Sequence, residues 1–177
     1  MPSPVLVAYA SKHGATAEIA EAIADQLRAD GLDAEARHAG DVRSLEQYSA
    51  VVLGSAVYMR RWRREARHFL RHHHDALAHM PFWVFSSGAV GEHHDPEWEE
   101  PAKVVETVEK LGAREHVVFG GRVPQDPGNF VERAMLRDTP PEVADLRDFD
   151  AIRAWASTIA AALKTPAGEP EREPTAP

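Results

Sequence analysis

The stretch Val5–Thr16, VLVAYASKHGAT, decides how this chain is read. An apolar run ends at Ala10, a loop of small and polar residues follows (Ser11, Lys12, His13, Gly14, Ala15), and a helical pattern opens at Thr16. Such a layout is that of a buried strand delivering a loop to a helix N-terminus. The first N–H groups of a helix have no intrahelical acceptor, and the helix dipole makes that end positive, so it favours an anion. Ser11 and Thr16 bring hydroxyl donors, and Gly14 lets the backbone come close to a ligand. A phosphate held by this loop is the expectation; an ordinary strand-to-helix turn is the alternative.

The kind of phosphate can be narrowed by elimination. The loop has no GxxxxGK[ST] pattern, which argues against a P-loop nucleotide site. It also lacks GxGxxG, and Gly31-Leu32-Asp33 offers no convincing ribose-binding carboxylate, so a dinucleotide site is weak. A single phosphomonoester remains.

Outward from this loop, apolar runs alternate with helix-period segments, the pattern of a parallel sheet covered on both faces. The expected strands are Val5–Tyr9, Leu32–His38 (an alternating edge strand), Ala50–Gly54, Phe82–Ser86 and His116–Gly120. The expected helices are Thr16–Asp30, stopped by Gly31; Trp62–Leu77; Pro101–Leu111, stopped by Gly112; and Phe149–Leu163, capped by Asp148. This is an α/β chain with a doubly wound five-stranded parallel sheet, most simply in the order 2-1-3-4-5, with helices on both faces. The connection from Gly121 to Arg147 is long and carries a short helical piece at Val131–Arg137, and long structured insertions are often functional. Residues 164–177 are rich in Pro, Glu and Ala without a large apolar side chain, so they read as a disordered tail after one domain at 1–163.

Composition closes several routes. At 177 residues the chain suits one well-buried domain. A net charge of −8 argues against a nucleic-acid or anionic-membrane surface as the main partner. No apolar run approaches the roughly 20 residues of a membrane span, and no signal peptide is evident, which makes a cytoplasmic location the default. With no cysteine, disulfides, thiolate metal sites and thiol redox chemistry are excluded, so any redox role falls to a bound cofactor.

In such sheets ligands lie beyond the strand carboxyl ends, near the switch point between the first and third strands. The loops expected there are Ala10–Ala15, Ser55–Arg61 (SAVYMRR) and Ser86–Asp95 (SSGAVGEHHD). They combine an anion site, an aromatic platform in Tyr58, and a Gly-rich turn whose backbone can hydrogen-bond a heteroaromatic edge. A planar phosphorylated ring system fits all three, and flavin mononucleotide (FMN) is the obvious one.

VLVAYASKHGAT, VVLGSAVYMRRW (Val51–Trp62), the helix through Ala66 and Phe69, and FWVFSSGAVG (Phe82–Gly91) together resemble the flavodoxin family. Within it they are most similar to the branch holding the flavodoxin-type, menaquinone-dependent protoporphyrinogen dehydrogenases of bacteria. Weaker similarity continues through Val118–Gly121 and the Trp155 helix. The resemblance implies a flavodoxin-like fold and a phosphate loop at Ser11, Lys12, His13, Gly14, Ala15 and Thr16. It implies ring contacts from Ala56, Val57 and Tyr58, with Tyr58 at the stacking position, and a third flavin loop at Ser86, Ser87, Gly88, Ala89, Val90 and Gly91. His13 replaces the usual hydroxyl residue, so its phosphate contact would come from the backbone N–H. Members often form dimers, so a homodimer is among the implied assemblies. The enzyme branch has a strongly basic, aromatic long connection, whereas Gly121–Arg147 here mixes basic and acidic residues.

Arg60, Arg61, Arg63 and Arg64 cluster beside the second loop, either steering an anionic substrate such as a porphyrin propionate or forming a solvated helix face. His72-His73-His74 point in different directions on a helix, and no carboxylate joins His68 and His72, so no metal site is expected. His93 and His94 are either proton donors near the ring or exposed loop residues. Trp83 and Trp155 are expected in the core; Trp62, inward on the expected helix, and Trp98 flank the crevice and are placed to cover it.

Three functions remain open. One is an FMN-dependent oxidoreductase acting on a small molecule or quinone, of the protoporphyrinogen dehydrogenase kind. The second is an electron-transfer protein working between redox protein partners. The third is a flavin- or deazaflavin-binding module without turnover. A long connection able to wall a substrate pocket favours the first. No catalytic side chain is assigned, because the flavin carries the electrons.

Overall fold

A computed structural model describes residues 3–58, 60–88, 101–123 and 144–165, with isolated positions at 128, 130, 133, 134 and 137. The strands are β1 (Val5–Ala10), β2 (Ala34–His38), β3 (Ala50–Tyr58), β4 (Arg61–Trp62), β5 (Phe82–Gly88) and β6 (His116–Gly120). The helices are α1 (Ala15–Ala29), α2 (Arg64–His72), α3 (His74–Leu77), α4 (Ala102–Lys110) and α5 (Phe149–Lys164). Parallel pairing runs in the order β2-β1-β3-β5-β6, and β4 adds an antiparallel hairpin to the end of β3. The central order is therefore the expected 2-1-3-4-5, with β4 as an unforeseen addition.

Both faces of the sheet are buried, which is why its central strands read as continuous apolar runs. Side chains alternate along each strand between two cores. Leu6, Val51, Leu53, Phe82 and Val84 meet Ala66, Phe69, Leu70, Val104 and Val108 from α2 and α4. Val7, Val52, Trp83 and Phe85 meet Ile19, Ile23 and Leu27 of α1 and Ile152, Trp155 and Ile159 of α5. Trp83 and Trp155 are core residues as expected; the Trp155 Nε1–H also donates to Glu115 at 2.7 Å. Asp148 caps α5, its side chain accepting from the N–H groups of Asp150 and Ala151. That helix runs through Lys164, one residue beyond Leu163, and the Lys164 ammonium donates to the Asp30 carbonyl at the far end of α1.

Two expected elements are bounded or divided differently from the sequence reading. The strand expected to stop at Gly54 continues to Tyr58. Gly54 is no terminator; a Cβ there would stand 1.9 Å from the Phe85 ring, so glycine lets that phenyl group lie across β3. The single helix expected over Trp62–Leu77 is a two-residue strand followed by α2 and α3, which meet at His73. His73 turns inward, 7% exposed, with Nε2 at 3.4 Å from the Val42 carbonyl, and burial holds its imidazole below the usual histidine range. Of the helical piece expected at Val131–Arg137 only residues 133, 134 and 137 are described, and the tail from 166 onward lies outside the described residues.

Candidate functional site

Register brings the carboxyl ends of the central strands together. Ala10 pairs with Ser55, Ser55 with Ser86, and Ala56 with Ser87. The loops that follow β1, β3 and β5 therefore leave the sheet side by side, as the topology requires.

In the first loop Gly14 adopts a φ of 85° and serves as the N-cap of α1. That left-handed geometry is strained for a residue with a Cβ. The Gly14 N–H donates to Ser11 Oγ at 2.9 Å, which folds the loop on itself and leaves the Ser11 hydroxyl proton available to a ligand. The first intrahelical bond is from Glu18 N–H to the Gly14 carbonyl at 3.0 Å. The N–H groups of Ala15, Thr16 and Ala17 precede it and have no helical acceptor. Thr16, in the first turn of α1, is only 1% exposed. These unmatched donors around one turn fit a phosphate.

The second loop is a hairpin. Val57 pairs with Trp62 and Tyr58 with Arg61, so the chain reverses between Tyr58 and Arg61, with Arg60 at a φ of 57°. Tight hairpin turns demand such positive φ values. Ser55 secures the hairpin: its hydroxyl accepts from Arg63 N–H at 2.9 Å and donates to the Ala56 carbonyl at 3.0 Å. Ala56, Val57 and Tyr58 are half-buried at the rim. The Lys12 ammonium sits 4.6 Å from the centre of the Tyr58 ring, joining the first loop to the second by a cation–π contact. A flavin stacking on Tyr58 must use the opposite face or displace Lys12.

Trp62 does not cover the crevice. At 1% exposure it lies beneath the hairpin, where its Nε1–H donates to Ser86 Oγ at 2.9 Å. Ser86 Oγ in turn meets His116 Nε2 at 3.1 Å, and the His116 ring packs edge-on against the indole. The correction has a simple cause: the indole's area is best buried against α2 and β5, and its N–H requires a buried partner that Ser86 supplies. The Ser86 hydroxyl is thus committed inside the fold. Ser87 and Gly88 follow it to the edge, Ser87 buried and Gly88 partly exposed. Ala89, Val90, Gly91, His93, His94 and Trp98 lie outside the described residues.

The long connection is rooted at the same edge. Val123 N–H donates to the Ala144 carbonyl at 2.8 Å and Leu146 N–H to the Gly121 carbonyl at 2.9 Å, so its two ends pair as an antiparallel stem. Gly121 passes so close to the end of β5 that a Cβ on it would lie 3.0 Å from the Gly88 carbonyl. Arg147, its side chain 4% exposed, donates to Glu18 at 2.6 Å and to Asp145 at 2.6 Å, while Arg122 reaches Glu18 at 2.9 Å. The stem is thereby clamped to the first turn of α1, beside the phosphate loop. Hydrogen bonds from Arg147 hold the Glu18 and Asp145 carboxyls below their ordinary values of 4.5 and 3.8. Carboxyls depressed in the folded state contribute stability that is present above those ordinary values and lost as the pH falls through the depressed ones. The stability gap between the wild type and Arg147→Met, read from urea unfolding, is therefore expected to be wide at neutral pH and narrower at about pH 3. A gap that stays constant or widens in acid contradicts the clamp.

Among the described residues no group of three His, Asp or Glu side chains is placed to hold a metal. The His68 and His72 rings stack at 5.7 Å. Of the interactions that build the site, neither Ser86–Trp62–His116 nor the clamp on Glu18 leaves a local signal in the sequence, because their members are far apart along the chain.

The family model described as a flavodoxin domain matches residues 6–142. Among curated proteins none matches the chain significantly. Solved structures do. A flavodoxin from the domain Archaea is 16% identical with a TM-score of 0.60, the match covering 92% of this chain and 99% of that one. A mutant flavodoxin from Pseudomonas aeruginosa is 20% identical with a TM-score of 0.59, over 92% of this chain and 99% of that one. The rubredoxin oxygen:oxidoreductase of Desulfovibrio gigas is 16% identical with a TM-score of 0.62, and the 92% of this chain that aligns spans 37% of that larger protein. At these identities the structural likeness speaks for the fold.

Proposed function

Because the chain belongs to the flavodoxin domain family, a family of FMN-binding proteins, we propose that it is an FMN-dependent oxidoreductase acting on a small-molecule or quinone substrate, of the protoporphyrinogen dehydrogenase kind. The observation that carries the reading is the set of unmatched donors at the start of α1, next to the rim of Tyr58 and the end of β5. In this reading the N–H groups of Ala15, Thr16 and Ala17, with the hydroxyls of Ser11 and Thr16, hold the phosphate. Lys12 and His13 supply the remaining backbone of that loop. Ala56, Val57 and Tyr58 border one side of the ring system, and Ser87 and Gly88, continuing into Ala89, Val90 and Gly91, border the other. Ser86 acts through Trp62, fixing the floor beneath the hairpin.

Bound FMN supplies reversible electron acceptance, so the protein's own task is to bind, orient and shield the ring. Tyr58 offers an aromatic face, and the buried strand ends exclude water from beneath. The stem of residues 121–123 and 144–146 stands beside Gly88, and a connection of this length favours a substrate-using enzyme over a bare electron carrier. No helix among the described residues is long and apolar enough to cross a membrane; a cytoplasmic location, as a monomer or homodimer, goes with the proposal.

The absorption spectrum of the purified protein tests the cofactor: FMN gives the flavin bands, whereas a deazaflavin absorbs at shorter wavelength. Quinone reduction by the FMN-loaded protein then tests the activity. Saturation with quinone supports an enzyme, while unsaturable exchange with redox proteins alone overturns that part in favour of a carrier.

A further inference from the structure

Helix α2 opens with arginine where a helix favours acidic residues. Arg63 is its N-cap and Arg64 its first residue, both against the dipole. Arg64, Arg67, His68 and Arg71 follow at i, i+3, i+4 and i+7, so they share one face, and all are exposed. The opposite face buries Ala66, Phe69 and Leu70. Arg61, exposed on the hairpin beside Tyr58, extends the stripe to the rim of the proposed flavin site.

The stripe lacks the carboxylate partners that several other arginines of the fold have. Arg28 pairs with Asp25, Arg122 and Arg147 with Glu18, and Arg153 with Asp150. Among the described residues Arg61, Arg64, Arg67 and Arg71 have no carboxylate within ion-pair distance. Glu65, the one acidic residue of α2, lies against Arg63 at 3.8 Å. Like charges at these spacings work against the helix, and the chain as a whole carries −8. Folding therefore gives no reason for this concentration of positive charge.

We propose that the hairpin and exposed face of α2 form a docking surface for an acidic redox protein, the partner that exchanges electrons at the flavin edge. The proposal rests on the flavin reading for that role. An exposed helix face of separate guanidinium groups suits a protein surface rather than an enclosed small ligand. Arginine forks match carboxylates in two-point geometry. The negative charge of the rest of the molecule disfavours extended nucleic acid or an anionic bilayer. Opposed local charges steer encounter and fix orientation, and salt screens both.

The test uses a strongly acidic [2Fe–2S] ferredoxin as the probe, followed by calorimetry with the apo and FMN-loaded protein. Binding is expected in both forms, weaker by tenfold or more between about 10 mM and about 0.5 M salt. The triple variant R64Q/R67Q/R71Q is expected to lose at least tenfold at low salt, with FMN affinity unchanged and the thermal unfolding temperature equal to or above that of the wild type. Equal binding by the variant, failure of the probe to bind at low salt, or tighter binding of a DNA duplex or anionic vesicles overturns the proposal. FMN titration of the same samples separates the two readings: ferredoxin binding without FMN binding supports the docking surface and sinks the cofactor assignment, and the reverse outcome sinks the surface alone.

Discussion

Gly14→Val is expected to lower FMN affinity at least tenfold while leaving the fold in place. Gly14 sits at a φ of 85°, and a Cβ there would meet nothing within 4 Å, so the effect is conformational rather than a clash. A β-branched residue held in the left-handed region costs on the order of 1–2 kcal/mol, and the loop escapes that cost by opening. Opening breaks the bond from Gly14 N–H to Ser11 and turns the free amides of α1 away from a common point. Gly14→Asn supplies the control. Asparagine tolerates the same backbone geometry, so it should keep affinity within a few-fold of the wild type. Fluorescence titration with FMN reads both variants, and far-UV circular dichroism reports the fold. Equal losses in the two would show that the side chain, not the backbone, matters.

Trp62→Ala is expected to cost about 3–5 kcal/mol of stability, measured by urea unfolding. The indole is fully buried between α2 and the central strands, and its removal leaves a cavity under the hairpin that carries Tyr58. Trp62→Phe keeps most of the volume but withdraws the Nε1–H from Ser86. Leaving a buried hydroxyl short of a partner costs about 1–3 kcal/mol, softened here because His116 still reaches Ser86. The two variants thus separate packing from hydrogen bonding. A Trp62→Ala protein as stable as the wild type would contradict the buried position and restore the sequence expectation of a rim residue.

Why the sequence misplaced Trp62 follows from what periodicity can see. Trp62, Ala66, Phe69, Leu70 and Leu77 all face one core, so the apolar spacing reads as one unbroken helix. A strand of two residues has no period of its own, and its pairing with Val57 and Tyr58 is settled by the hairpin turn. The inward turn of His73 that divides α2 from α3 likewise leaves no local mark, since buried histidine is unusual and its partner, the Val42 carbonyl, is distant in sequence. Gly54 misled in the opposite way: a glycine within a strand can mark a close approach rather than an end, and Phe85 is what approaches.

The parts read correctly are those governed by strong local rules. β1, β6 and the central sheet order came from apolar runs alternating with capped helices. The turn from β1 into α1 was legible because Gly14 and the small residues around it sit between a buried strand and a helix start. Its supports were not visible. Lys12 over Tyr58, Ser86 between Trp62 and His116, and Arg147 on Glu18 all join segments that only the folded sheet brings together.

The most direct test compares FMN with riboflavin, which has the same ring system but no phosphate, by fluorescence quenching of each flavin on the apoprotein. If the amides at the start of α1 grip the phosphate, FMN binds with one site per chain and at least about a hundredfold more tightly than riboflavin, because charge-assisted bonds of about 1.5–3 kcal/mol each are lost with the phosphate. Equal affinities for the two flavins, or no binding of either by the folded protein, would contradict it.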